Sequence, residues 1–127
     1  MMKNKNETSA VITGQIKGRI WYGRFNDIKI GTPVSVDFGW QWAMDREERK
    51  KDVIGFYHTH PFGAAIPSAR DIRTMRAWVS SLGKPLMCMI EDNDEIMAYL
   101  FETDEDTGTP FVEIQRFPRK IIIGVKG

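Results

Sequence analysis

The sequence is poor in the features that mark several classes of protein. It has a single cysteine, Cys88, which excludes an intrachain disulfide framework and favours a reducing compartment. No apolar run is long enough to cross a bilayer, and the opening residues MMKNKNE are polar, with no apolar signal core behind them. We therefore expect a cytoplasmic protein that has no membrane partner.

The chain also has no large excess of charge of either sign. The chain has 18 Lys and Arg residues against 17 Asp and Glu residues, and it has no stripe of alternating basic and aromatic side chains. Both features argue against nucleic acid as a partner. Cys88 lies in the apolar run PLMCMI, which favours a buried structural thiol over a nucleophile. At 127 residues, the chain is expected to form one domain over residues 1–127.

Histidine is scarce too, and the two that occur are close together. The stretch GFYHTHPFGAAIPSARD contains His58 and His60, and then Ser68 and Asp71. Side chains repeat their direction every second residue along a strand, so the two imidazoles are expected on one face. Two imidazoles and a nearby carboxylate form a three-ligand set for a divalent metal with one position left open. This pattern is typical of a catalytic zinc site rather than a closed structural one.

A second interpretation needs no metal. Ser68 and Asp71 have the spacing of a capping box, in which the acidic side chain favours the positive end of the helix dipole. The histidines would then be ordinary residues at a strand end. The two interpretations are compatible, because a helix start would hold Asp71 in place. Asp71 also heads an apolar stripe with Met75, Trp78 and Leu82, where a carboxylate is costly unless it is paired or bound to a cation.

The segment resembles the H-x-H-x7-S-x-x-D signature of the JAMM (MPN+) zinc metalloprotease family, including Pro61 after the second histidine. The segment ETSAVITG, from Glu7 to Gly14, resembles the family's upstream glutamate, an apolar strand and a glycine. The resemblance implies one catalytic Zn²⁺ held by three ligands, and two further residues that act in catalysis. The implied metal ligands are His58, His60 and Asp71. The implied catalytic residues are Glu7, as general base, and Ser68, as hydrogen-bond donor to the oxyanion.

The resemblance also implies a fold and a substrate class. The fold is the MPN/JAB domain, a cytidine-deaminase-like mixed β-sheet sandwiched between helices. The activity is that of a peptidase or isopeptidase that cleaves an amide bond at the C-terminus of a ubiquitin-like or sulfur-carrier-type protein, whose tail would end in two glycines. Two alternatives stay open: a peptidase of cell-wall or phage-tail peptides, and a non-catalytic scaffold. Oligomerisation also stays open.

Hydrophobic patterning independently predicts an α+β or α/β chain with a helix on either side of a mixed sheet. We expect Ile54, Phe56, His58 and His60 on one side of the central strand, and a plain solvated turn at residues 91–95. The predicted strands cover residues 10–16, 19–25, 34–38, 52–60, 86–90, 96–101 and 111–117, and residues 121–125 form a terminal apolar run. The predicted helices cover residues 40–51 and 68–82.

Overall fold

A computed structural model describes residues 5–18, 20–32, 39–103, 110–116 and 120–124. The strands are β1 (Thr8–Lys17), β2 (Ile20–Ile30), β3 (Val53–Thr59), β4 (Leu86–Glu91), β5 (Ile96–Thr103), β6 (Pro110–Arg116) and β7 (Lys120–Gly124). The helices are α1 (Trp40–Lys50) and α2 (Ala69–Leu82). The strand predicted at residues 34–38 lies outside the described residues. No described helix is both long and apolar enough to span a bilayer.

The strands form one sheet with the order β6-β5-β4-β3-β1-β2-β7. Strand β3 is parallel to β4, and β2 is parallel to β7. The other neighbours are antiparallel. The prediction of a mixed sheet in an α+β fold is therefore confirmed. Because β1 is antiparallel to both β2 and β3, those two strands run in the same direction on either side of it.

Both helices pack on the same face of this sheet. Ala43 of α1 and Met75 and Trp78 of α2 share one buried cluster with Phe56 of β3. The reason lies in the connections, because β2–α1–β3 and β3–α2–β4 both join parallel strands and both step the same way across the sheet. Right-handed crossovers that step in one direction place their helices on one side. The expected placement of a helix on either side is thus wrong for the described helices.

The opposite face is buried without a described helix. Its cluster consists of Ile12, Trp21, Ile54, Met87, Met89 and Leu100. The sheet is curved, because β6 and β7 form opposite edges and only residues 117–119 separate them in sequence. Arg116 at the end of β6 and Lys120 at the start of β7 are four residues apart. Because successive Cα atoms are about 3.8 Å apart, these two strand ends lie within about 15 Å of each other.

An irregularity in β3 decides which side chains reach the helical face. Ile12 pairs with Gly55, but Thr13 pairs with Val53, so Ile54 is an extra residue in the ladder. Ile54 therefore packs on the inner face, while Phe56 packs beneath the helices. The prediction that Ile54 shares a face with Phe56 is wrong. Beyond the irregularity the alternation resumes, and His58 follows Phe56 onto the helical face.

Helix α2 begins and ends where the sequence predicts. Ser68 is its N-cap, and Gly83 closes it in the left-handed conformation at φ 67°. Met75 and Trp78 are buried along the predicted stripe, whose first member is Asp71. The first turn of α2 therefore presents Asp71 toward the end of β3.

Candidate metal centre and active site

Three side chains converge where β3 ends and α2 begins. The Nε2 atoms of His58 and His60 lie 3.0 Å apart. Asp71 Oδ2 lies 3.2 Å from His58 Nε2 and 3.3 Å from His60 Nε2. The side chains are largely buried, with exposed fractions of 4% for His58, 15% for His60 and 13% for Asp71. The structure thus brings together the three predicted metal ligands.

The triangle has the size that a tetrahedral metal site requires. With metal–ligand bonds of about 2.0 to 2.2 Å, the ligand atoms of a tetrahedron lie roughly 3.3 to 3.6 Å from one another. The three separations of 3.0, 3.2 and 3.3 Å lie at the lower limit of this range or within a few tenths of an ångström of it. Two imidazoles and one carboxylate also form a donor set that suits zinc. The residues present therefore fit the metal that the resemblance implies.

The orientation of His60 is fixed by its other ring nitrogen. His60 Nδ1 lies 2.7 Å from the carbonyl oxygen of Ala64. A carbonyl oxygen only accepts hydrogen bonds, so Nδ1 is the donor and carries the hydrogen. In the neutral ring this leaves the Nε2 lone pair directed at the triangle, as a metal ligand requires.

Asp71 is held as an anion among these groups. Burial alone would raise the pKa of its carboxyl group, but hydrogen bonding with His58 and His60 outweighs burial and holds the pKa well below its usual range. The pKa of His60 is raised, first by its hydrogen bond with Asp71, with burial acting in the opposite direction. Both shifts indicate a strong preference for positive charge beside Asp71, which a proton or a metal cation can satisfy.

Glu7 lies beside this triangle because of the pairing between β1 and β3. Ser9 pairs with His58, so the antiparallel register brings Glu7, two residues earlier, toward His60. Its backbone is fixed by hydrogen bonds from Glu7 N to Thr32 O and from Gly31 N to Glu7 O, both 2.8 Å long. Burial raises the pKa of Glu7, while positive charge on His60 and His58 opposes this rise. The structure therefore places the distant glutamate in the electrostatic field of the site.

Ser68 completes the set of predicted residues. Its Oγ accepts a hydrogen bond of 3.1 Å from Asp71 N, and its own backbone N donates to Asp71 Oδ2 at 2.8 Å. This is the reciprocal capping box expected from the sequence. The hydroxyl is exposed, and the cap uses only an acceptor lone pair of Oγ. The hydroxyl hydrogen can therefore be donated to another group.

A family comparison agrees with this arrangement. The model of the family described as prokaryotic homologs of the JAB domain matches residues 1–103. The chain belongs to this family. The match covers all five residues of the site, and the JAB family includes hydrolases and members that bind zinc. The comparison with curated proteins finds no matching relative.

Sequence reasoning missed how this JAB domain braces the loop between His60 and Ser68. Asp92 Oδ2 accepts a hydrogen bond from Ala65 N at 3.0 Å, and Asn93 Nδ2 donates to Pro61 O at 2.8 Å. Both residues belong to the acidic turn that was predicted to be merely solvated. An aspartate opening a turn commonly bonds the backbone two residues on, so the sequence signalled the turn but not its contact with the loop.

Cys88 takes no part in the chemistry. Its side chain is buried in the helical-face cluster, as the sequence predicts. Burial raises the pKa of the Cys88 thiol, and the negative charge of Asp71 adds to the effect. A thiol with a raised pKa is a poor nucleophile at neutral pH.

Proposed function

We propose that this JAB domain is a zinc-dependent peptidase or isopeptidase that hydrolyses an amide bond. The observation that carries the proposal is the triangle of His58 Nε2, His60 Nε2 and Asp71 Oδ2, with sides of 3.0 to 3.3 Å. Glu7 and Ser68 lie beside the triangle and would supply an acid–base group and a hydroxyl donor. A non-catalytic scaffold would have no need for all five groups.

His58, His60 and Asp71 would hold the zinc ion. Bound zinc would supply Lewis-acid chemistry, acidifying a water molecule and polarising the scissile carbonyl group. The three side chains would keep their orientation on binding, because β3 fixes His58, the Ala64 carbonyl fixes His60 and the helix cap fixes Asp71. Such preorganisation leaves little reorganisation to be made when the metal binds.

Glu7 would act as the general base. Its raised pKa increases its basicity relative to an ordinary surface carboxylate, so it would accept the proton of the attacking water and return it to the leaving amine. Burial gives the physical reason for the raised pKa of Glu7, and positive charge on the two histidines opposes the rise.

Ser68 would donate its hydroxyl hydrogen to the carbonyl oxygen as negative charge develops there. A fixed donor at this position is effective because it needs no rearrangement during the reaction. The capping hydrogen bond from Asp71 N supplies the rigidity.

The substrate that we propose is a protein whose C-terminal tail ends in two glycines, such as a ubiquitin-like or sulfur-carrier-type protein. Support comes from the family resemblance and from the loop that follows His60. Gly63 and Ala64 are small and exposed, and Phe62 and Ile66 expose 69% and 62% of their surface. Small residues beside a metal site leave room for a narrow peptide, and the flanking apolar side chains offer contacts to it.

A cleavage panel tests this function. The protein, loaded with one equivalent of zinc, is incubated with a ubiquitin-like fusion cut after Gly-Gly, with an isopeptide-linked counterpart and with a cell-wall stem peptide. We expect cleavage of a diglycine substrate, loss of cleavage on chelation, and no cleavage by Glu7→Gln. Cleavage of the stem peptide alone would favour the alternative peptidase. No cleavage of any substrate by the zinc-loaded protein would contradict the proposal.

A further inference from the structure

The turn after β4 is built around Asp92. Its Oδ1 accepts hydrogen bonds from Asp94 N at 2.7 Å and from Glu95 N at 2.8 Å. These two bonds use one carboxylate oxygen and form the turn itself. The second oxygen, Oδ2, is directed away from the turn and accepts from Ala65 N at 3.0 Å.

The group that Asp92 contacts is the same group that orients His60. The Ala65 N–H and the Ala64 carbonyl belong to one planar peptide unit. Asp92 Oδ2 accepts from the N–H side of this unit, and His60 Nδ1 donates to its carbonyl side at 2.7 Å. Hydrogen bonds in such a chain polarise one another, so a carboxylate at one end strengthens the carbonyl as an acceptor at the other.

Two further contacts hold this loop against the end of the sheet. Tyr99 donates its hydroxyl to Ala65 O, and Asn93 Nδ2 donates to Pro61 O at 2.8 Å. Together with Asp92, they fix the backbone on both sides of the peptide unit that joins Ala64 to Ala65. The acceptor for His60 is therefore not an ordinary loop carbonyl free to rotate.

We propose that Asp92 is a positioning residue for the metal site. Through the peptide unit that joins Ala64 to Ala65, it holds the hydrogen of His60 on Nδ1 and turns Nε2 toward the zinc position. The inference deepens the proposed function and rests on it for the identity of the metal. It places in the site a residue 21 positions beyond Asp71, the last residue of the signature. Asp92 touches neither metal nor substrate, so its effect is on His60.

The variant Asp92→Asn separates this role from that of the turn. Its amide oxygen can keep the two bonds to Asp94 N and Glu95 N, but its NH₂ group then replaces the oxygen that faces Ala65 N. The hydrogen-bonded chain that leads from Asp92 through the peptide unit to His60, here called the relay, is then broken, while the turn is retained. The matched control is Asp94→Asn, which removes the same charge from the same turn, at an exposed residue whose side chain is not part of the relay.

Zinc affinity and the His60 tautomer are the two readouts. We expect Asp92→Asn to weaken zinc binding roughly 10- to 100-fold, the usual effect of losing an outer contact to a ligand. We expect Asp94→Asn to stay within about twofold of the wild type. In metal-free protein, ring ¹⁵N shifts measured where His60 is neutral should show the hydrogen on Nδ1 in the wild type and in Asp94→Asn. In Asp92→Asn, a share of the rings should carry it on Nε2.

Equal zinc affinities for Asp92→Asn and Asp94→Asn would overturn the proposal. So would a wild-type His60 that carries its hydrogen on Nε2, a measurement that needs no variant. Neither readout uses hydrolysis. A protein that binds zinc with the expected Asp92 dependence, yet cleaves no peptide, would support the positioning role and reject the peptidase. Cleavage with no special effect of Asp92→Asn would do the reverse.

Discussion

Ser68 and Asp71 cap the start of α2 through hydrogen bonds in both directions, and the oxygen of Asp71 that completes the cap also faces the histidines. Asp71 Oδ2 accepts from Ser68 N at 2.8 Å and lies 3.2 Å from His58 Nε2 and 3.3 Å from His60 Nε2. The capping box and the proposed metal ligand are therefore one arrangement. The helix start supplies the rigidity that a ligand carboxylate needs.

Substitution of Ser68 separates its two roles. Ser68→Ala removes both the cap and the hydroxyl, so we expect turnover to fall roughly 100- to 1000-fold and the free energy of unfolding to fall by about 1 kcal/mol. Ser68→Gly also lacks the hydroxyl, but glycine at an N-cap lowers stability by only a few tenths of a kcal/mol. Turnover should therefore fall in both variants, whereas stability should fall appreciably only in Ser68→Ala, with zinc retained in both. Full turnover in Ser68→Gly would remove the oxyanion role.

Substitution of Glu7 should abolish hydrolysis and leave the metal in place. Glu7→Gln keeps the shape of the side chain but cannot accept the proton of water. Because burial raises the pKa of Glu7, its ionised form is disfavoured in the folded protein, and this penalty sets in as the pH rises through the folded pKa. The neutral variant should therefore be at least as stable as the wild type at pH 7. Zinc content, cleavage rate and denaturant unfolding check these points, and retained cleavage would assign the base to another residue.

The stability of the metal-free protein should pass through a maximum in mildly acidic solution. The lowered pKa of Asp71 contributes stability that is present above its unfolded pKa of about 3.9 and is lost as the pH falls toward the folded pKa. The raised pKa of His60 contributes stability that is complete below its unfolded pKa of about 6.5 and is lost as the pH rises through the folded value. Denaturant unfolding at several pH values measures this curve.

The variant Asp71→Asn tests the origin of this pH dependence of stability, because it removes the charged partner of both histidines. We expect its metal-free stability to depend far less on pH below about 4 and above about 6.5, where the wild type loses the contributions of Asp71 and His60. Addition of zinc should raise the stability of the wild type above neutral pH, because a ligand that binds only the folded state stabilises it by mass action. An unchanged pH profile in Asp71→Asn would show that the coupling of these groups is negligible.

An ion pair far from the triangle provides a purely structural comparison. Arg46 contacts Asp52 through two hydrogen bonds, Nε to Oδ1 at 2.8 Å and Nη2 to Oδ2 at 2.7 Å. This bond with Arg46 lowers the pKa of Asp52, and the side chains are only 26% and 24% exposed. Asp52→Asn should lower the free energy of unfolding by about 1 kcal/mol at pH 7. The difference should decrease below the unfolded pKa of Asp52 and vanish as the pH falls through its lower, folded pKa.

The control for Asp52→Asn is Asp45→Asn, an exposed position on α1. We expect it to leave stability within about 0.5 kcal/mol of the wild type. Zinc affinity should be unchanged in both variants, because Asp52 precedes β3 and the triangle lies at the other end of that strand. A loss of zinc in Asp52→Asn would mean that the two ends of β3 are coupled.

Much of the site could be predicted because its determinants are local in sequence. The alternation of a strand places His58 and His60 together, and the capping box fixes Asp71 at the start of α2. The position of Glu7 depends on the pairing of β1 with β3, in which Ser9 pairs with His58, 49 residues later, and periodicity does not report such pairing. It was predicted only through the family resemblance.

The errors arise where tertiary structure overrides a local pattern. Ile54 leaves the face of Phe56 because the register between β1 and β3 shifts. Both helices lie on one face because successive crossovers step in the same direction, a property of topology that no single segment encodes. Asp92 contacts Ala65, 27 residues earlier, so nothing in its own turn indicates that contact.

The most direct test of the account is a zinc-edge anomalous diffraction map of the protein crystallised with zinc. We predict one ion per chain, bonded to His58 Nε2, His60 Nε2 and Asp71 Oδ2 at about 2.0 to 2.2 Å. A map with no zinc peak between these three atoms, in a protein saturated with the metal, would contradict the proposal that His58, His60 and Asp71 bind zinc.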